Sequence, residues 1–498
     1  MHRILPAPRS LPVFGVERTR DIERRAAAAL PPHTLMRRAG LAVARLALAV
    51  APHAERVWIA AGPGNNGGDG LEAALHLRTA GRRVRVTRVG GSAHLPDDAR
   101  DALERAREAG VDIDDDAAPE LARGELGIDA LLGIGASRPP GSAIAHAIGR
   151  LNAAPGPVLA VDLPSGLHAG TGQPLGTACV RAHHCLTLLT LKPGLFTAAG
   201  RDHAGAVWFD DLGVDTAAEP ADAWLVGADA VADAARAHAQ HKGSFGDVAI
   251  LGGAPGMTGA ALLAARAALA AGAGRTYVSL LDASGMAHDP QRPELMFRSD
   301  WWKQPEATLR RTTVVCGCGG GDAVRDILPR LFSATARLVL DADALNGIAS
   351  DAKLQTLLRA RADRARATVL TPHPLEAARL LGSDAAQVQS DRLGAAQAIA
   401  DDFRCVVVLK GSGTVIAAPD LPPRINTSGS AALATGGTGD VLAGWLGGLW
   451  AQRPAASDTD VAMQVACEAV YAHGAAADRC GAPVLRAADL VDALAAGR

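Results

Sequence analysis

One pattern recurs along this chain and restricts its folding more than any other. A short apolar run ends in a loop of glycines and polar residues, and helical spacing follows. Val57-Trp-Ile-Ala-Ala61 stops at Gly62-Pro-Gly-Asn-Asn-Gly-Gly-Asp-Gly70, and helical periodicity resumes over Leu71–Ala80. Ile128-Asp-Ala-Leu-Leu runs into a loop over Gly133–Gly141, and Pro157-Val-Leu-Ala-Val161 ends at Asp162-Leu-Pro-Ser-Gly166. The same unit returns at Val248–Leu251, Thr313–Val315, Leu338–Leu340, Val369–Leu370 and Cys405–Leu409. Unbroken apolar runs of this length are strands buried on both faces. Alternating with helices, they build open parallel sheets that bind ligands outside the carboxyl ends of the strands. Residues 17–50 read as two helices broken at Pro31-Pro32, Arg82–Val89 as a further strand and Ala99–Ala109 as a charged helix. Asp215–Ala223, with Glu219-Pro220 inside it, reads as a linker. The expectation is an α/β protein of two domains, a doubly wound parallel sheet over residues 1–218 and a second α/β domain over 224–498.

Composition fits that expectation. The chain has 498 residues, 48% hydrophobic but only 3% aromatic, so Ala, Val and Leu must fill the interior, as closely packed helix–sheet layers allow. A formal charge of −2 gives no electrostatic case for nucleic acid or an anionic membrane. The seven cysteines are odd in number and lack the spacing of a disulfide framework. Cys316 and Cys318 read as buried thiols rather than a redox or metal pair, and His183, His184 and Cys185 as strand residues rather than zinc ligands. No apolar run reaches the length of about 20 residues that spans a bilayer, and no basic-then-apolar leader is evident. A cytoplasmic protein is expected, with small-molecule partners, no nucleic acid, no membrane, and self-association as a homo-oligomer.

In the first half, Asn65 and Asn66 donate and accept hydrogen bonds at once, and Asp69 adds a charge; turn chemistry is the alternative. Asp129 lies inside an apolar run and is costly to bury unless paired or bound to a cation. Asp162 and Ser165 fall at a strand's carboxyl end. The runs Gly62–Gly70, Asp129–Gly135 and Val161–Leu167 resemble the signature loops of NAD(P)H-hydrate epimerase. That resemblance implies that Asn65, Asn66, Gly67, Gly68 and Asp69, with Gly133, Ile134, Gly135, Ala136, Ser137, Arg138 and Pro139, contact a hydrated nicotinamide nucleotide. It implies further that Asn66, Asp129 and Ser165 hold a potassium ion, and that Asp162 lies against the nicotinamide as a catalytic group. One departure is Arg37, which stands where the family usually carries an acidic residue.

In the second half, Asn426–Asp440 joins a glycine-rich loop to an apolar helix. Gly436, Gly437 and Gly439 let backbone N–H groups approach a ligand, and a helix N-terminus suits a phosphate. Asp440 is placed either to cap that helix or to act as a base for a hydroxyl attacking phosphorus. Asp341 and Asp343, His373, and Lys410-Gly-Ser-Gly-Thr414 each follow an apolar run. Each has a local alternative as a cap, a turn or a solvated strand end, yet together they describe one rim of one sheet. Lys242–Gly246, Met257–Ala260, Pro293-Glu294, Asp341–Asn346, Thr371–His373, Lys410–Thr414 and Asn426–Asp440 resemble the ribokinase-like superfamily, and within it ADP-dependent NAD(P)H-hydrate dehydratase. The resemblance implies that Ala260, Gly320, His373 and Asp440 contact the hydrated nucleotide. Lys410, Gly411, Ser412, Gly413, Thr414 and Gly439 would contact the adenine nucleotide, with ADP as co-substrate, Mg²⁺ assisting and Asp440 catalytic. Two departures are Cys316-Gly-Cys-Gly-Gly-Gly321, where the family has Gly-Pro-Gly-Leu-Gly, and Leu375, where it has glycine.

The function these readings imply is repair of hydrated NADH and NADPH (NADHX and NADPHX) by an isomerase domain and a lyase domain. Two competitors stand beside it: a small-molecule kinase of the same fold, which has no use for the first domain, and a nucleotide sensor without turnover.

Overall fold

The computed structural model describes residues 1–498 except 92–94, 116–118, 233–235, 283–285, 454–457 and 498. The chain divides into two compact units, Met1–Leu5 with Pro12–Ala223, and Pro6–Leu11 with Trp224–Arg498. Both are α/β.

The first unit carries an eight-stranded sheet. Its order is His2–Arg3, Ala206–Asp210, His184–Leu188, Val158–Val161, Leu126–Ala130, Arg56–Ala61, Arg83–Arg88, Asp112–Asp115. All pairings are parallel except that of the edge strand His2–Arg3. Strand order reverses at Arg56–Ala61, so a crevice opens at the carboxyl ends of this strand and Leu126–Ala130. The helices Val16–Ala29 and Thr34–Val50 flank the Pro31-Pro32 break. Arg37 pairs with Asp101, with a separation of 3.3 Å.

The helix expected from Leu71 begins six residues earlier, at Asn65. Its early glycines serve close packing. A Cβ on Gly67 would sit 2.0 Å from the Gly62 carbonyl oxygen, and one on Gly68 would sit 2.7 Å from the Met36 methyl. Side chains here would force the helix off the sheet, so tertiary contact overrides the poor helix propensity of glycine.

The second unit carries an eleven-stranded sheet with the order Met296–Phe297, Arg275–Leu280, Asp247–Gly252, Thr312–Cys316, Arg337–Leu340, Thr368–Leu370, Val406–Leu409, Val415–Ala418, Leu421–Asn426, Ala223–Val226, and an edge strand that starts at Leu11. It is parallel as far as Val406–Leu409, where the turn Lys410–Thr414 reverses the chain into an antiparallel strand. The helix Thr438–Ala451 is buried along nearly its whole length. It meets the alanine-rich helix Thr258–Ala270 through Gly444 and Gly448, where added Cβ atoms would fall 1.9 Å from the Ala264 oxygen and 2.6 Å from the Ala268 oxygen. That close seat fixes the turn that precedes it.

Candidate active sites

In the first unit a cavity of about 1140 Å³ opens at the strand-order reversal. Asn65, Asn66 and Asp69 line it, as do Gly133 to Pro139 and Asp162. Gly67 and Gly68 do not: they lie within the helix, packed as described. Asp129 and Ser165 do not line it either; they are buried. The Asp129 carboxylate accepts from the Ser165 hydroxyl at 2.6 Å, the Ser165 N–H at 2.7 Å and the Leu131 N–H at 3.2 Å. Burial raises its pKa to about 6, against those hydrogen bonds. The Asn66 amide donates to the Leu132 carbonyl at 3.1 Å, while its own oxygen is buried with no hydrogen-bond partner among the described residues. The Leu132 N–H donates to the Ser165 hydroxyl oxygen at 2.8 Å. Asn66, Asp129, Ser165 and Leu132 therefore form an oxygen-only set with one unsatisfied acceptor, a set that suits a hard cation.

At the cavity wall, Asp162 has a φ of 65°, strained for a residue with a side chain. Lys192 supplies its partner: the ammonium donates to Asp162 Oδ1, to the Leu188 carbonyl at 2.6 Å and to the Thr187 hydroxyl at 3.2 Å. The lysine is only 1% exposed. Sequence reasoning missed it because a lysine just past an apolar run reads as a solvated strand end. Asp69 is held well above the ordinary carboxylate range by desolvation first, and then by the Asp162 and Glu23 charges. Glu23, also at the cavity, is raised by desolvation first and then by the Asp162 charge. Two carboxyl groups with raised pKa values thus stand beside a lysine–aspartate pair.

In the second unit the strand-end residues meet. Lys410 Nζ donates to Asp341 Oδ1 at 2.6 Å, and the Thr371 hydroxyl donates to the same oxygen at 2.7 Å. Asp341 is therefore an ion-pair acceptor and not a helix cap, whereas Asp343 opens the helix Asp343–Ala349 and accepts from the Gly321 N–H at 2.9 Å. Asp440 is in the first turn of the helix Thr438–Ala451. Its side chain gathers with Asp341 and Cys318, their ligand atoms all within 4.8 Å. Burial, then the Asp341 charge, raises Asp440 to about 6, which leaves it ionised but basic near neutrality. A Cβ on Gly439 would lie 3.4 Å from Lys410 Nζ, so the glycine turn and the lysine are neighbours.

His373 caps the helix Pro374–Leu381, its Nδ1 accepting from the N–H groups of Leu375 and Glu376 at 3.1 and 3.3 Å. That bonding leaves the proton on Nε2, 3.3 Å from Glu376 Oε1, and Glu376 is raised to about 7 by burial. Ala260 packs beside the Gly317–Gly321 loop, where a Cβ on Gly319 would come 3.0 Å from it; Gly320 closes a turn onto the Gly317 carbonyl. His473, buried beneath the glycine turn, donates from Nε2 to the Thr438 carbonyl at 2.9 Å, and desolvation lowers it to about 4. It had no sequence signal, being one histidine in a 22-residue helix.

Among the described residues, Cys318, Asp341 and Asp440 are the group whose donor atoms lie close enough to share an ion; His184 and Cys185 lie in strand His184–Leu188. All seven cysteines are free, and six are buried. No helix among the described residues is long and apolar enough to cross a membrane.

Comparison with known proteins places both units. Residues 248–495 match the family described as NAD(P)H-hydrate dehydratase, and residues 32–194 the family described as YjeF-related protein N-terminus. The bifunctional NAD(P)H-hydrate repair enzyme of Escherichia coli (strain K12) is 35% identical, over 99% of this chain and 95% of that protein. The corresponding enzyme of Leishmania braziliensis is 38% identical over 94% of this chain and 89% of its own length. Among solved structures, the ADP/ATP-dependent NAD(P)H-hydrate dehydratase of Bacillus subtilis, co-crystallised with ATP and Mg²⁺, is 30% identical, covers 52% of this chain and 91% of its own, and has a TM-score of 0.42. With an architecture of two α/β units and relatives matched from end to end, the chain belongs to the bifunctional NAD(P)H-hydrate repair enzymes.

Proposed function

We propose that the first unit interconverts the two C6 epimers of NADHX and NADPHX, and that the second unit dehydrates one of them to NADH or NADPH at the expense of ADP. The observation that carries the second activity is the position of Asp440: a basic carboxylate in the first turn of a buried helix, beside an open glycine turn and the Lys410–Asp341 pair.

Hydration puts a hydroxyl at C6 of the dihydronicotinamide ring, and hydroxide leaves poorly. Asp440 takes the hydroxyl proton as that oxygen attacks the β-phosphorus of ADP, and the phosphorus–oxygen bond to AMP breaks. Amide N–H groups of the turn at Gly436–Gly439 and the Lys410 ammonium stabilise the phosphoryl charge. The ring nitrogen's lone pair then expels phosphate, and loss of the adjacent ring proton restores the double bond. The Asp341 carboxylate, its Oδ2 not taken by Lys410, is an oxygen ligand of the kind Mg²⁺ accepts. Mg²⁺ arriving with the diphosphate would neutralise part of its charge. His373, its proton on Nε2, and Ala260 and Gly320 form the wall assigned to the hydrated nucleotide. Lys410 to Thr414 and Gly439 form that assigned to the adenine nucleotide.

In the first unit, C6 bears both the hydroxyl and the ring nitrogen, so one base and one acid suffice. Asp162 takes the hydroxyl proton while the Asp69 carboxyl, its pKa raised by burial, delivers one to the nitrogen. The carbon–nitrogen bond opens to an aldehyde and recloses on the other face. The Asn66, Asp129 and Ser165 oxygens would hold potassium, which would satisfy the unpartnered Asn66 acceptor and supply positive charge beside the Gly133 loop.

The test is to incubate the protein with acid-hydrated NADH and ADP, ATP or neither. Return of the reduced-nicotinamide absorbance with a nucleotide only, with AMP and phosphate formed when ADP is the donor, supports the reading. A stable phosphorylated product from a hydroxymethyl substrate favours the kinase, and tight nucleotide binding without turnover favours the sensor.

A further inference from the structure

The glycine loop after strand Thr312–Cys316 carries a cysteine, and the fold turns it toward two carboxylates. Cys318 is fully buried. Its Sγ lies 3.9 Å from Asp341 Oδ2, and Cys318 Sγ with one oxygen each of Asp341 and Asp440 lie within 4.8 Å of one another. The three come from separate elements: a loop, a strand end and the first turn of a helix.

Proton and charge counting shows what the cluster lacks. Lys410 and the Thr371 hydroxyl both engage Asp341 Oδ1, so Oδ2 is left to the thiol. The thiol has one proton, and two carboxylates face it. Lys410 compensates one carboxylate, so the cluster keeps a net charge of −1 that the neutral thiol does not cancel, in a place where water cannot fully solvate it. A divalent cation supplies that missing charge. The donors select which one: a sulfur with two carboxylate oxygens suits a thiophilic ion that accepts tetrahedral S/O coordination, as zinc does, and is a poor match for Mg²⁺, which demands six oxygens.

We propose that Cys318, Asp341 Oδ2 and Asp440 form a binding site for a thiophilic divalent cation such as Zn²⁺, with water as the fourth ligand, and that the bound ion inhibits the second unit. Binding replaces the sulfur–hydrogen bond by a sulfur–metal bond and releases the thiol proton to solvent. The ion then occupies the Asp440 oxygen needed to take a proton from substrate, so zinc and turnover compete. That last clause rests on the dehydratase reading; the metal site itself does not.

Cadmium is the probe, because a cadmium–thiolate bond gives an ultraviolet charge-transfer band that needs no activity. The full-length protein is titrated in a C480S background, which removes the one exposed thiol. The expected result is one equivalent of Cd²⁺ per chain, displaced by Zn²⁺. C318A should lose the band and bind at least about 100-fold more weakly, since losing a ligand exceeds the 10–100-fold cost of altering its neighbours. D440N keeps every remaining cysteine and should weaken binding as well, which separates a built site from stray thiol chemistry. C318S repeats the test with a smaller change, and thermal unfolding checks that each variant is folded. A band that survives in folded C318A or C318S, unaltered affinity in D440N, or no band in the parent protein overturns the site. Zinc inhibition of ADP-driven recovery is measured in parallel; failure of that recovery would strike the functional reading and leave the cadmium result standing.

Discussion

Gly436 offers a direct test of where the phosphates bind. Its φ is not positive, it is exposed, and a Cβ built on it meets no protein atom within 4 Å. Nothing in the folded protein requires glycine there. Gly437 differs: its φ is 91°, and a Cβ would fall 2.6 Å from Leu263 Cδ1 and 3.0 Å from Ala487. In the ligand-free protein, Gly436→Ala should therefore be stabilising by about 0.4–1 kcal/mol, because alanine restricts the unfolded chain. Gly437→Ala should cost about 2–5 kcal/mol, the sum of left-handed strain and overpacking. In turnover the sense changes. A methyl group at 436 stands between the turn's N–H groups and a phosphoryl group. Losing one such donor costs about 100-fold in kcat, close to 2.7 kcal/mol. Thermal unfolding without ligand and ADP-driven recovery of reduced nicotinamide, followed by absorbance, measure the two effects. Gly436→Ala with undiminished stability and at least about a 100-fold loss of turnover supports a phosphate-binding turn. Wild-type kcat and KM for ADP in that variant would refute the reasoning outright.

Asp440→Asn should abolish ADP-driven recovery while leaving interconversion of the epimers, followed by chromatography, at its wild-type rate. Lys192→Met removes the buried partner of the half-buried Asp162 carboxylate and should destabilise the first unit by about 1–3 kcal/mol; the double change with Asp162→Asn should recover part of that loss in the same unfolding assay. Potassium should raise the unfolding midpoint of the first unit, by the equivalent of about 2.7 kcal/mol at 100 times its Kd, and Asp129→Asn should erase the difference between potassium and choline buffers. His473 has a folded pKa near 4 against an ordinary 6.5, so the unfolded chain takes up its proton first. Its contribution is present above pH 6.5 and lost as pH falls toward 4, by about 3 kcal/mol in all. His473→Gln should flatten that slope in denaturant unfolding, and an unchanged slope would remove His473 as its source.

The central strands were legible because most are apolar runs that nothing but a two-sided sheet can bury, whereas Asp112–Asp115, Arg275–Leu280 and Leu421–Asn426, which mix in charged and polar residues, were not. The start of the helix Asn65–Thr79 was not, because glycine at 67, 68 and 70 argues locally against a helix, and the reason for it lies elsewhere in the chain. The Gly62 carbonyl, the Met36 methyl and the Ala130 side chain leave no room for a Cβ at those positions. The same holds for Gly444 and Gly448, whose purpose is visible only once the helix Thr258–Ala270 lies against them. Propensity is a property of a residue and its neighbours in sequence; close approach is a property of two segments, and one of them is always missing from a local reading.

The sites divide along a similar line. That polar residues collect at strand ends was readable, since apolar runs stop at or just before Asp162, Asp341, His373 and Lys410, and Asp129 interrupts another. Their pairing was not. Asp341 and Lys410 are 69 positions apart, Asp129 and Ser165 are 36, and Asp162 and Lys192 are 30. A charge inside a sheet can persist only with a partner, so each buried aspartate announced that a partner existed, without naming it. Two partners were already in view for other reasons, Ser165 through a family resemblance and Lys410 through a glycine loop. Lys192 belonged to no such pattern, and it is the one the reading left out. An unpaired acidic residue in an apolar run is therefore best treated as half of an observation. The search for the other half should cover every lysine, arginine and hydroxyl that follows a predicted strand in the same sheet, a short set in which Lys192 would have stood beside Ser165.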